Sequence, residues 1–186
     1  MRTWLLTSTT YGTWLPGSRH GSVTAVRDLR LDDPTVLVRV EHDVPGTPYE
    51  DAIPNLEESA RTLMTGPVVM LNPEHAKVLL AQFHETARYR GWTLLAVSIL
   101  FNHFHLVVQA EGDPEPEKLL GDFKSYGSRA LTKQFGRPAS ETWWTKSGSK
   151  RKLPDDRAVS AAVIYVTEKQ PNPLVVWRVD LGEPAP

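Results

Sequence analysis

Phe101-Asn102-His103-Phe104-His105-Leu106-Val107-Val108 is the most informative stretch of this 186-residue chain. Branched and aromatic residues dominate it, as in a β-strand. Successive side chains of a strand point to opposite faces, so His103 and His105 share one face, about 7 Å apart along the backbone. Two imidazoles so placed can donate nitrogen ligands to one divalent cation; two hydrogen-bonded sheet histidines would give the same pattern. Ile99, Leu100, Leu106 and Val108 put the pair on a central strand, and a rigid element suits a site with tight tolerances.

Working outward, Thr93 to Gln109 reads as one extended segment, too long to run straight, with a bend or split near Ser98. Asn72-Pro73-Glu74 opens a helix with an Asn cap, a first-turn proline and an acid. That helix runs to about Arg90, buries Ala76, Leu79, Leu80, Phe83 and Ala87, and stops at Gly91. Trp4 to Trp14 reads as the first strand, ended by Pro16-Gly17. Gly21 to Gly66 is polar and Pro-rich, an insertion or extended loop with a short helix about Leu56 to Met64.

After the histidines, an acidic turn leads into a helix from about Pro116 to Phe135, with Leu119, Leu120, Phe123, Ala130 and Leu131 inward. Gly136 to Pro154 is a basic loop or hairpin holding Trp143-Trp144. A third helix starts near Asp155 and must end before Pro171. Val175 to Val179 is a last strand. This order predicts an α+β fold in a single domain, residues 1–186: an antiparallel sheet with helices on one face.

The chain is 40% hydrophobic and 23% charged, ordinary for a globular domain and too apolar for a disordered tail. It has no cysteine, which excludes disulfides, thiolate metal sites and cysteine nucleophiles. No apolar run approaches the ~20 residues that span a bilayer, so no membrane partner is expected, and a cytoplasmic location is. The net charge of −1 hides an asymmetry. Residues 124–152 hold eight basic residues and one acid, Glu141, a net of +7 against −8 elsewhere. Such segregation suits a polyanion-binding strip, and equally a solvated patch.

Along the third helix, Val159, Ala162, Val163 and Val166 form the buried stripe, with Tyr165 at its edge and Glu168 and Lys169 beside it. This is either a poised phenol or a tyrosine covering the core. His20 and His42 lie in loop-like sequence and His75 and His84 on the first long helix, as surface or capping residues.

Together these stretches resemble a family. The Asn-His-hydrophobic-His strand is similar to the metal motif of single-tyrosine HUH transposases, particularly the REP-associated tyrosine transposases. Arg90-Gly91-Trp92 stands where that family has helix–Gly–Trp, and Lys124-Ser125-Tyr126-Gly127-Ser128-Arg129 resembles its Lys-Ser-x-x-Ser-Arg helix. Trp143-Trp144 occupies the place of its Trp-containing DNA-contact region. Tyr165-Val166 with Pro171-Asn172-Pro173-Leu174 resembles its Tyr-Ile-x-x-Asn-Pro-Val ending.

The resemblance implies a ferredoxin- or RRM-like sheet and a nucleophilic Tyr165 that cleaves and rejoins hairpin-bearing single-stranded DNA through a 5′-phosphotyrosine link. It implies Mg²⁺ or Mn²⁺ on His103, His105 and a third ligand. The family's glutamine, four residues after the tyrosine, is replaced by Lys169, leaving Gln170 or Glu168 for that role. Lys124, Arg129, Lys133, Lys150, Arg151 and Lys152 would hold phosphates, and Trp143 and Trp144 would stack on unpaired bases. Tyr126 is the rival nucleophile, a homodimer is allowed, and a nucleoid-associated location follows. Two other readings remain: a domesticated, inactive DNA-hairpin-binding protein, favoured by Lys169, and a metal enzyme acting on small molecules.

Overall fold

The computed structural model describes residues 1–18, 53–112 and 114–179. Most of the expected insertion, with His20 and His42, lies outside the described residues. The chain divides into two compact units, one of Met1–Thr13 with Gly66–Pro186 and one of Trp14–Thr65. In chain order the elements are β1 (Arg2–Thr9), α1 (Pro54–Thr62), α2 (Pro73–Arg90), β2 (Thr93–Ile99), β3 (His103–Ala110), α3 (Pro116–Phe135), β4 (Ser149–Leu153), α4 (Asp156–Glu168) and β5 (Val175–Arg178). The smaller unit contributes α1, an exposed helix opened by a proline and braced by an Arg61–Glu57 pair at 2.7 Å.

In the larger unit the five strands form one sheet in the order β4-β1-β3-β2-β5, every pairing antiparallel. The α+β class is as the sequence implies, and the histidine strand is the middle one. Local signals behave as expected in α2: the Asn72 side chain accepts from the His75 N–H, His75 returns a ring contact to the Asn72 N–H, and Gly91 takes the left-handed turn at φ 68. Asp155 likewise caps α4 by accepting from the Ala158 N–H at 2.8 Å.

Three expectations are amended. The long strand is a hairpin whose break falls at Leu100–Asn102 rather than Ser98, closed by Leu100 N–H donating to the His103 carbonyl at 2.8 Å. The first strand stops at Thr9 because the chain turns through Gly12, at φ 74. And the helices do not share one face. Trp4, Leu6, Phe104, Leu106 and Val108 point to the side covered by α2 and α3, where the Phe83 ring lies 5.0 Å from Phe104 and 5.6 Å from Phe123. Leu5, Ala96, Val107 and Leu153 point the other way, against Ala162 and Val166 of α4. A strand apolar on both faces needs a cover on both, and α4 supplies the second. His103 and His105, odd-numbered like Val107, lie on the α4 face.

Candidate active site

β1 and β2 flank β3, placing Thr7 and Ser98 on either side of His105 and Thr9 beside His103. The two imidazole centroids lie 4.8 Å apart with planes at 81°. Nδ1 of His103 is 2.6 Å from Asn102 Oδ1, and Nδ1 of His105 is 2.7 Å from Thr7 Oγ1. Burial pushes the His105 pKa down to about 3; a charge on His103 would add to this, and a hydrogen bond with the Gln170 side chain opposes it. Burial also lowers His103, again against a Gln170 hydrogen bond. Both rings are therefore neutral at physiological pH, the form that ligates metals.

α4 delivers Tyr165 to this pair. Its ring stands edge-on to His105 at 5.4 Å between centroids, and the residue is 44% exposed, so the phenol is open to a large substrate. Helix geometry ends at Glu168, with Lys169 as the cap residue. The early ending decides where the next side chain goes. An unbroken helix would turn Gln170 well away from Tyr165. Instead Gln170 folds back, its Nε2 donating to the Tyr165 carbonyl at 3.1 Å while its amide meets both imidazoles. Glu168 faces Arg178 of β5 at 3.8 Å. Among the described residues no carboxylate or third histidine joins the two imidazoles in a group able to hold a metal. The donor set within reach is two neutral imidazoles and one carboxamide. That set fits a divalent cation tolerant of nitrogen, such as Mn²⁺, better than Mg²⁺, which prefers carboxylate and water oxygens.

The rival Tyr126 sits on α3, which packs on the opposite side of the sheet. It is wedged among Tyr89, Arg90 and Arg129, with the two guanidinium groups 5.9 and 5.2 Å from its ring centre.

Much of the expected DNA-contact set has other work. Trp143 and Trp144 are buried: their Nε1 groups donate to Thr132 Oγ1 and to the Lys124 carbonyl, and Trp144 stands edge-on to Phe104 at 5.2 Å. As core residues they offer no ring face to a base. Lys124 Nζ donates to the carbonyls of Thr145, Ser147 and Lys146 at 2.6, 3.0 and 3.3 Å, clamping the loop before β4. Burial, then the Lys150 charge, lowers its pKa to about 8.

Strand parity splits the basic run on β4. Lys150 and Lys152 pair in register with Leu6 and Trp4 on the α2–α3 side, where Lys150 meets Glu117 at 2.9 Å and Lys152 lies over the Trp4 ring. Only Arg151 of the three, opposite Leu5, shares the histidine face. Lys133 and Arg129 are exposed on α3. Charges on an edge strand also discourage pairing with another sheet.

Thr7 could not be singled out from the sequence, because its contact with His105 depends on the pairing of strands 98 residues apart. His75 and His84 are helix residues engaged with aromatics, His75 with Phe135 and Trp143 and His84 with Trp177.

Comparison with known proteins follows this geometry. The description "Transposase IS200 like" belongs to the family model that matches residues 68–151, from the approach to α2 through the hairpin and α3 into β4. Over residues 68–151 the chain is similar to IS200-like transposases. The match includes the histidine pair and agrees with the resemblance drawn above. Tyr165 and Gln170 lie beyond the matched residues. No curated protein matches the chain. A solved REP-associated tyrosine transposase bound to a REP hairpin aligns with a TM-score of 0.45 and 12% identity, over 89% of this chain and 64% of that one. This chain thus spans less than two thirds of that protein's length.

Proposed function

We propose that this IS200-like chain cleaves and rejoins single-stranded DNA with Tyr165 as nucleophile, and that a folded hairpin is its substrate. The observation that carries this is the convergence of Tyr165, His103, His105 and Gln170 on one sheet face. His103, His105 and Gln170 are the residues to hold a divalent cation. When bound, that ion would polarise the phosphate oxygens and offset their developing charge.

The remaining steps belong to the protein. Tyr165 Oη attacks phosphorus in line, its proton passing to water. The phosphorus–O3′ bond breaks, leaving a 5′-phosphotyrosine and a free 3′-hydroxyl once that oxygen takes a proton. The bond energy is kept in the ester, so rejoining to another 3′-hydroxyl needs no nucleotide. The histidine rings, held neutral by burial, do not compete for those protons. Arg151, on the same face, is placed to meet a backbone phosphate.

The test is a hairpin-bearing oligonucleotide incubated with Mn²⁺ and resolved under denaturing conditions. The parent chain should form a covalent adduct, Tyr165→Phe should form none while still shifting the oligonucleotide, and Gln170→Ala should cut adduct yield more than Glu168→Ala. Adduct from Tyr165→Phe at the parent's level would remove Tyr165 from the chemistry. A donor set without a carboxylate also supports the second reading, a hairpin-binding protein that has lost catalysis; binding without any adduct from the parent would select it.

A further inference from the structure

We propose that Thr7 and Asn102 are positioning residues that grip the two imidazoles by Nδ1 and so present both Nε2 atoms together to a divalent cation. This deepens the metal-dependent reading above and rests on it.

Asn102 Oδ1 stands 2.6 Å from His103 Nδ1. A carboxamide oxygen only accepts, so Nδ1 carries the hydrogen and the lone pair of the neutral ring is on Nε2. In His105 the same atom, Nδ1, is engaged by Thr7 Oγ1 at 2.7 Å, which leaves Nε2 as the remaining ring nitrogen there too, on the side of the Gln170 amide. The two partners come from different elements, a β1 side chain and the hairpin turn, yet they take the same atom of each ring.

Both partners are themselves fixed. Thr7 pairs in register with His105 on one side and Ser149 on the other. The Asn102 carbonyl accepts from the Thr10 N–H, Thr10 Oγ1 and Thr13 Oγ1 at 2.8, 3.1 and 3.3 Å. Strand alternation puts two histidines on a face but leaves χ2 of each ring broad. Turning the rings 81° to one another needs outside contacts, and Thr7 and Asn102 supply one to each ring. Partners that orient metal-bound histidines in this way typically account for 10–100-fold in affinity.

The test uses the full chain and Mn²⁺ alone, without DNA. Long-range nitrogen–proton spectra of ¹⁵N-histidine protein, free of metal, read the tautomers; electron paramagnetic resonance of unbound Mn²⁺ reads affinity. His103 of the parent should carry its proton on Nδ1, and Asn102→Ala should lose that preference. The double variant Thr7→Val with Asn102→Ala should raise the Mn²⁺ Kd at least about tenfold, while Thr7→Ser, which keeps the hydroxyl, stays within about threefold. Amide spectra confirm that each variant is folded, and the single substitutions stand in if the double one is not. A parent His103 protonated on Nε2 overturns the proposal, as do folded variants that bind Mn²⁺ as the parent does. A parent that binds no Mn²⁺ at millimolar concentration overturns the metal reading as well, and the parent's own titration tells the two failures apart.

Discussion

Gly148→Ala probes how hard the loop before β4 is pressed onto β1. A Cβ at Gly148 would overlap the Thr7 carbonyl oxygen and come within 2.6 Å of Leu120 Cδ2. Leu120 can rotate away. The Thr7 carbonyl cannot, because β1 is held between β3 and β4. Overpacking usually costs about 1–3 kcal/mol, and a clash with sheet backbone belongs at the upper end, about 3 kcal/mol. At roughly 2–4 °C per kcal/mol for a chain of this size, melting should fall by roughly 6–12 °C. Gly121→Ala is the matched control: it lies inside α3 with nothing within 4 Å of a new Cβ, so alanine should stabilise by about 1 kcal/mol. Scanning calorimetry of parent and both variants gives the answer. Because Thr7 also holds His105, Gly148→Ala should weaken Mn²⁺ binding, whereas Gly121→Ala should leave it alone. A Gly148→Ala protein that melts with the parent would refute the close packing of loop on strand.

Trp144→Ala should cost about 3–5 kcal/mol in urea unfolding, as for a buried aromatic, and should lose DNA affinity only in proportion to unfolding; unchanged stability with lost DNA binding would restore a stacking role. Ser98, beside His105, is fully buried, and its hydroxyl has no hydrogen-bond partner among the described residues. Ser98→Ala should therefore be neutral or stabilising by up to about 1 kcal/mol in the same assay. Lys124 gives a pH signature. Its pKa of about 8 lies below the ~10.4 of an unfolded lysine, so the unfolded chain binds more protons between these values. The penalty is full below pH 8 and relieved as pH rises to about 10.4, so the parent's stability should rise relative to Lys124→Met across that window. Parallel urea midpoints from pH 7.5 to 10.5 would count against the buried ammonium.

What was legible in the sequence was local. Caps and stops are written in neighbouring residues: Asn72, Pro73 and Gly91 bound α2, and Asp155 opens α4. The alternation around His103 placed both imidazoles on one face. What was not legible depends on partners far along the chain. Trp143-Trp144 followed by basic residues reads as an exposed DNA platform until the β1–β4 pairing and the α3 contacts bury both rings. Lys150-Arg151-Lys152 reads as one strip until strand geometry sends its members to opposite faces. The place of Gln170 turned on a single residue of helix, since α4 had to stop at Glu168 for that side chain to swing back.

The middle position of β3 has a consequence for biosynthesis. Thr7 leaves the ribosome early but meets His105 only some hundred residues later, and Tyr165 and Gln170 arrive some sixty residues after that. Chains grow at roughly 5–20 residues per second, so each nascent copy passes several seconds with its histidines made and Tyr165 untranslated. A truncated product ending before α4 would keep the sheet's central strands, with both imidazoles, and lack the phenol beside them.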